Sequence, residues 1–185
     1  MKNKVLNIKR FFVATAIASA LVSCSEENVI ELEPYNQLSE NTAFTTPSAI
    51  NLSLNGVYQA AQMGYYDNGP RGYPFGAAYF QQNDMRGEDM VNTAAFYAYT
   101  YTGTWDASGT VNNIHYWLDS YRLINRANLV IEGVTKAVET NVVTSEVGND
   151  YIGQCLFWRA FTHFELLRQF ARPYNDTSGA THMGV

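Results

Sequence analysis

Cysteine is scarce here: Cys24 and Cys155 are the two in 185 residues, too few for a disulfide framework. Charge is low as well, at 16% against about 25% in an average globular domain. The 12 Lys+Arg are outnumbered by 17 Asp+Glu, and without a basic surplus to displace counterions, nucleic-acid binding is not expected. The apolar run from Phe11 to Val22 has twelve residues, short of the roughly 20 that span a bilayer. No Gly-x-Ser-x-Gly elbow and no phosphate-binding loop occurs. His115, His163 and His182 show neither the i, i+4 spacing nor the cysteine companions of a zinc site, so no transition metal is expected. What the chain has in quantity is apolar and aromatic side chains: 46% apolar residues, with 3 Trp, 13 Tyr and 10 Phe. That is enough for one domain with its own core.

The N-terminus reads as an address. Lys2, Lys4, Lys9 and Arg10 precede the apolar run, the layout of a secretory signal. The run closes on Leu21-Val22-Ser23-Cys24, which is similar to the lipobox of bacterial lipoproteins, where the cysteine thiol is diacylated and becomes the new N-terminus. Residues 1–23 are then a lipoprotein signal peptide and Cys24 the lipid-attachment residue. One acyl chain is a marginal anchor, whereas several on one cysteine hold firmly. Loss of the four basic residues leaves 8 Lys+Arg against 17 Asp+Glu, a formal balance of −9. Ser25-Glu26-Glu27 is compatible both with a signal for the outer face of the outer membrane and with a plain solvated charge run. With Cys24 acylated, Cys155 has no partner and sits between apolar neighbours, so a buried, inert thiol is expected.

Residues 24–45 are polar, acidic and interrupted by Pro34, as suits a tether, with Leu32, Tyr35 and Phe44 available to pin it. Residues 46–185 form the domain. Thr46 and Pro47 read as N-cap and first residue of a helix that carries Ile50, Leu54, Val57, Tyr58 and Ala61 on one stripe and ends at Gly64. Residues 64–109 hold 7 of the 13 glycines together with Pro70, Pro74 and many aromatics, the composition of a loop-rich insertion. Within it, Phe96 to Tyr101 alternates like a short strand. A helix pair follows over 111–138 and 150–171. The first has Ile114, Trp117, Leu118, Tyr121, Ile124 and Ile131 on its expected buried stripe, with Asn128 as a buried amide bonded to backbone. The second is expected to bury Phe157, Ala160, Phe161, Phe164, Leu167 and Ala171, leaving Arg159, Glu165 and Arg168 on other faces, and Pro173 stops it. The fold class is therefore mainly α: tetratricopeptide-like helical hairpins with an irregular, aromatic- and Gly-rich loop insertion.

Several stretches together resemble the SusD-like (RagB/SusD) family of outer-membrane nutrient-binding lipoproteins. They are the lipobox Leu21 to Cys24, then Asn41-x-x-Phe44 leading to Ala49 and Gly56-Val57-Tyr58, and Trp117-x-x-x-Tyr121-x-x-Ile124-Asn125-x-x-Asn128. The last is Phe157-x-Arg159-Ala160-x-x-x-Phe164-x-Leu166-Leu167-Arg168-x-Phe170 with its exit Ala171-Arg172-Pro173-Tyr174-Asn175. Where the family usually has Glu-Ala before the phenylalanine, this chain has Gln154-Cys155. Family members run on well past Met183-Gly184-Val185, so the resemblance implies an N-terminal fragment with later helix pairs and much of the ligand site beyond it. It further implies a lipid-anchored, surface-exposed protein of the cell outer membrane that captures oligosaccharides or other nutrients for a SusC-like TonB-dependent transporter. No catalysis and no cofactor are implied.

Sugar recognition needs flat apolar faces for pyranose C–H surfaces and planar amides or carboxylates for hydroxyls. Residues 58–121 hold 15 of the 26 aromatics, interleaved with Asn68, Gln81, Gln82, Asn83, Asp84, Asn112 and Asn113. Trp105, between Gly103 and Asp106, is a stacking candidate, with packing on the helical layer as its alternative. Tyr101, with Tyr97 and Tyr99 on one face of the expected strand, is a weaker candidate against which core or transporter-facing packing is favoured; the amides Asn112 and Asn113 are further ligand candidates, while Trp117 is expected in the core. Asp84, Glu88 and Asp89 around Arg86 could hold Ca²⁺ but lack EF-hand order, which favours a solvated turn. The same carboxylates with Asp106 are raw material for a surface glycosidase, the remotest reading. A lipid-anchored protein-interaction scaffold without ligand binding is the other alternative, against which stands the aromatic insertion that a bare solenoid would not need.

Overall fold

In a computed structural model the described residues are 40–64, 71–87, 89–93, 95, 98–104, 111–172 and 175. All fall within one unit, Glu40–Val185. Among them the chain is mainly helical and no strand occurs. The elements are α1 (Glu40–Ala43), α2 (Pro47–Met63), α3 (Ala77–Met85), α4 (Ala98–Thr102), α5 (Val111–Glu139) and α6 (Ser145–Phe170). The expected mainly α class is thus the observed one. No described helix is long and apolar enough to cross a membrane.

Local chemistry sets the ends of α2. Thr46 Oγ1 accepts from the Ala49 N–H at 3.2 Å, which satisfies one of the helix's orphan donors, and Pro47 fills the first turn without losing a bond. At the far end Gly64 takes φ +71°, and a Cβ there would lie 2.6 Å from Asp119 Oδ2, so the turn and the close approach both require glycine. The chain then doubles back, the Phe75 N–H donating to the Ala61 carbonyl at 3.0 Å.

Helices α5 and α6 make the expected hairpin. Asn141 adopts φ 58°, the left-handed conformation asparagine tolerates, and two bonds close the helix end: Val142 N–H to Ala137 O at 2.8 Å and Asn141 N–H to Val138 O at 3.1 Å, a Schellman cap. Thr144 then caps α6 through the Val147 N–H at 3.4 Å, so this helix starts at Ser145, five residues before the Asp150 expected from periodicity. Contacts run in opposite directions along the two helices, from Val138 with Gly148 through Asn128 with Arg159 to Trp117 with Phe170. That is an antiparallel register.

One apolar cluster joins three helices: Ile50, Leu54, Val57, Ala60 and Ala61 of α2; Leu123, Ala127, Val130, Val134 and Ala137 of α5; and Cys155 of α6. Full burial of a residue such as Leu123 contributes about 1.5–3 kcal/mol. A second cluster brings Tyr73, Ala78, Tyr116, Ile124 and Leu166 together. Phe44 packs against the first, over Gly133, where any Cβ would overlap its ring. Cys155 is a free, fully buried thiol, its burial as expected, and that burial pushes its pKa up to about 11, which disfavours the reactive thiolate.

Four expectations are corrected. Ala98 to Thr102 is a helical turn rather than a strand; no described strand lies beside it to supply ladder partners, and Phe96 and Tyr97 fall outside the described residues. Asn128 is exposed, accepting from Arg159 Nη1 at 3.1 Å, so its partner is a side chain of α6 and not backbone. On α5, Ile114, Trp117 and Leu118 are exposed, with Trp117 meeting Tyr121 at a tilt and Phe170 edge to face. On α6 the buried face is Gly148, Cys155, Thr162, Glu165 and Leu166, whereas Phe157, Ala160, Phe164 and Leu167 are exposed. Apolar residues occupy most of the circumference of α6, so periodicity could not choose the side that meets α5.

Candidate functional site

Asn55, Tyr58, Gln59 and Gln62 recur at helical spacing, which puts them on one face of α2, and all four are exposed. With Ala61, with Phe75 from the returning chain and with Trp158 of α6 they line an open groove of about 420 Å³. The groove exists because α2 and α6 both pack on α5, leaving their flanks side by side.

Its apolar wall is a set of interlocked rings. Tyr58 meets Trp158 edge to face, centroids 5.5 Å apart at 89°, and Phe75 lies 5.4 Å from Trp158 and 4.7 Å from Phe161, stacked on the latter. Such offset and edge arrangements are the favoured ring geometries and stiffen the wall. The Tyr58 hydroxyl donates to Gln154 Oε1 at 2.7 Å, and the amide of Gln154 donates to Asp150 Oδ2 at 2.8 Å. This relay fixes the Tyr58 ring while leaving the side chain 42% exposed. Aromatic faces beside three amide side chains, each with an in-plane donor and acceptor, are the chemistry a polyhydroxylated ring needs.

A second polar assembly ties α3 to the hairpin. Glu165 is 2% exposed, and Arg168 Nη1 reaches both its oxygens, at 2.7 and 2.9 Å. The Tyr79 hydroxyl hydrogen-bonds to the same carboxylate; burial first, then that bond, raises its pKa. Tyr116, beside them, is raised mainly by burial. A buried carboxylate paired this way is structurally satisfied, and with both oxygens engaged by Arg168 it has the role of a brace. A second cavity, of about 320 Å³ at Phe44, Leu129, Glu132, Gly133 and Lys136, has neither an aromatic pair nor amides.

Of the residues chosen from sequence, Cys24, Trp105, Tyr97 and Asp106 lie outside the described residues. Tyr101 sits in α4, 44% exposed, and does not line the groove. Asn112 and Asn113 belong to the first turn of α5. Asp84 and Asp89 are exposed, and Glu88 and His182 fall outside the described residues. Among the described residues no group of three or more His, Cys, Asp or Glu is gathered as a metal site would need. The groove residues escape sequence reading because Tyr58 falls in the apolar stripe of α2. The polar stripe Asn55, Gln59, Gln62 next to it is the available signal.

A family model described as SusD-like, starch-binding and associating with the outer membrane, matches residues 29–184. Comparison with curated proteins and with solved structures returned no match.

Proposed function

The chain belongs to the SusD-like family, and on that premise we propose that it captures glycans at the outer membrane, starch-type α-glucan first among them. The groove between α2 and α6 is the part of the described chain that fits such a ligand, and its Tyr58, Phe75 and Trp158 wall edged by Asn55, Gln59 and Gln62 is the observation that carries the reading. Sugar rings would stack on the exposed Tyr58 face, and the amides would bond equatorial hydroxyls. Trp105, Tyr101, Asn112 and Asn113 are proposed as further contacts. Cys24 is the proposed lipid anchor, with the domain on the cell surface and a SusC-like TonB-dependent transporter as the partner that receives the glycan. The role is binding, without catalysis or cofactor.

The test is affinity electrophoresis of the lipidated protein in gels containing soluble starch. Retardation of the wild type, reduced about tenfold in apparent affinity by Tyr58→Ala with Gln62→Ala, is expected. Migration unaffected by starch would overturn the reading. Metabolic labelling with a fatty acid tests the anchor: label must disappear in Cys24→Ala. A protein-interaction scaffold is favoured by one observation, the exposed Phe157 and Phe164 of α6; co-purification of a partner protein with a wild type that starch does not retard would support it.

A further inference from the structure

Between α3, the start of α5 and the end of α6 lies a small space of about 10 Å³, lined by Tyr79, Gln82, Asn83, Arg86, Tyr116, Gln169 and Phe170. Two of these side chains carry buried polar atoms that bond to nothing in the protein: Gln82 Nε2 and Gln169 Oε1. Gln82 is only 5% exposed. Gln169 uses its other amide atom, Nε2, to donate to Asn83 Oδ1 at 2.6 Å. Buried amide groups are almost always bonded, because desolvation without a partner is costly. One donor and one acceptor, both orphaned and both on side chains that line the same small space, are complementary to a molecule that accepts once and donates once.

We propose that this space is a binding site for a single ordered water, which accepts from Gln82 Nε2–H and donates to Gln169 Oε1. The volume admits one water, about one probe sphere, and nothing larger. The rest of its lining is largely apolar, so the two orphaned amide atoms are the two partners such a water takes. Were the Gln82 amide turned over, its oxygen would accept from the water's second hydrogen, so the bridge does not depend on which amide atom faces inward. The water adds a second link to the direct Asn83–Gln169 bond and pins α3, a described helix of the Gly-rich segment, onto the hairpin.

Oxygen-17 magnetic relaxation dispersion on the full chain counts long-lived internal waters. One such water is expected in the wild type that is absent in Gln82→Leu. An unchanged count would overturn the bridge. A crystal structure must show density within about 3.2 Å of both amides; an empty space, or Gln82 bonded directly to protein, would contradict it. Because Gln82→Leu could fail to fold, urea unfolding of Gln82→Met, Gln169→Met and the double variant gives a separate reading. A water-mediated pair leaves the survivor stranded in each single variant, so the folding constants should be non-additive by about tenfold, and additive effects would count against the water.

Discussion

The two long faces of α6 differ in the opposite sense from their composition. The face turned to α5 carries Cys155, Thr162, Glu165 and Leu166, two of them polar, and is buried. The face turned outward carries Phe157, Phe164 and Leu167 at 59%, 54% and 45% exposure. Burial is therefore decided by who is opposite, not by hydrophobicity of the residue. Small and self-satisfying groups lie where the helices approach closely: Gly148 takes Val138 with no room for a Cβ, Thr162 returns its hydroxyl to the Trp158 carbonyl at 2.6 Å, and Glu165 is held by Arg168 and Tyr79. The outer face keeps its rings on one another instead, Phe157 on Phe161 at 5.6 Å, and sets Arg168 over Phe164 at 5.9 Å.

The sharpest way to break this contrast is to truncate both sides. Leu166→Ala, at 0% exposure, should cost roughly 2–5 kcal/mol through lost transfer and the cavity left behind, read by urea unfolding. A loss below about 1 kcal/mol would mean the inner face is not the tight one. Next in size is a pH effect at Cys155. Burial holds its folded pKa at about 11, above the ordinary thiol value of 9.0, so below pH 9 the thiol is protonated in both states and its contribution to stability is fully present. As pH rises past 9 the unfolded chain ionises first, and stability falls until the folded thiol follows near 11. That gap between folded and unfolded thiols corresponds to roughly 2–3 kcal/mol lost. Wild type should lose that much more than Cys155→Ala between pH 8.5 and 11, a comparison that removes the contribution of the tyrosines; parallel losses would contradict it. Smallest is Phe164→Ser on the outer face, expected to change stability by no more than about 0.5 kcal/mol. A larger loss would show that the outer face is packed in solution.

Much of the frame was legible because its signals are local. Thr46, Pro47 and Gly64 are read by backbone groups within four residues of themselves, so a linear pattern suffices. Ile50, Leu54, Val57 and Ala61 have polar neighbours on the opposite side of α2, and the stripe is legible except at Tyr58, which lies at its edge and stays exposed. On α6 rings and aliphatics go round the helix, and only the position of α5 selects a side. Asn128 failed for a related reason: its partner Arg159 is 31 residues away. The alternation at Phe96 to Tyr101 carried a strand signal, but Ala98 to Thr102 has no described strand to pair with, and a helical turn prevails there. The groove was the least legible, since Tyr58 and Trp158 meet only through the packing of two helices on a third.

Glycan capture by the groove is put to the test most directly by a calorimetric titration of the lipidated protein with a linear α-1,4-glucan, beside a β-1,4-glucan of similar length. Saturable heat is expected for the α-linked chain, weakened at least several-fold by Tyr58→Ala with the fold unchanged by circular dichroism. No heat at millimolar α-glucan, or full affinity in the Tyr58 variant, would contradict the assignment of glycan capture to this groove.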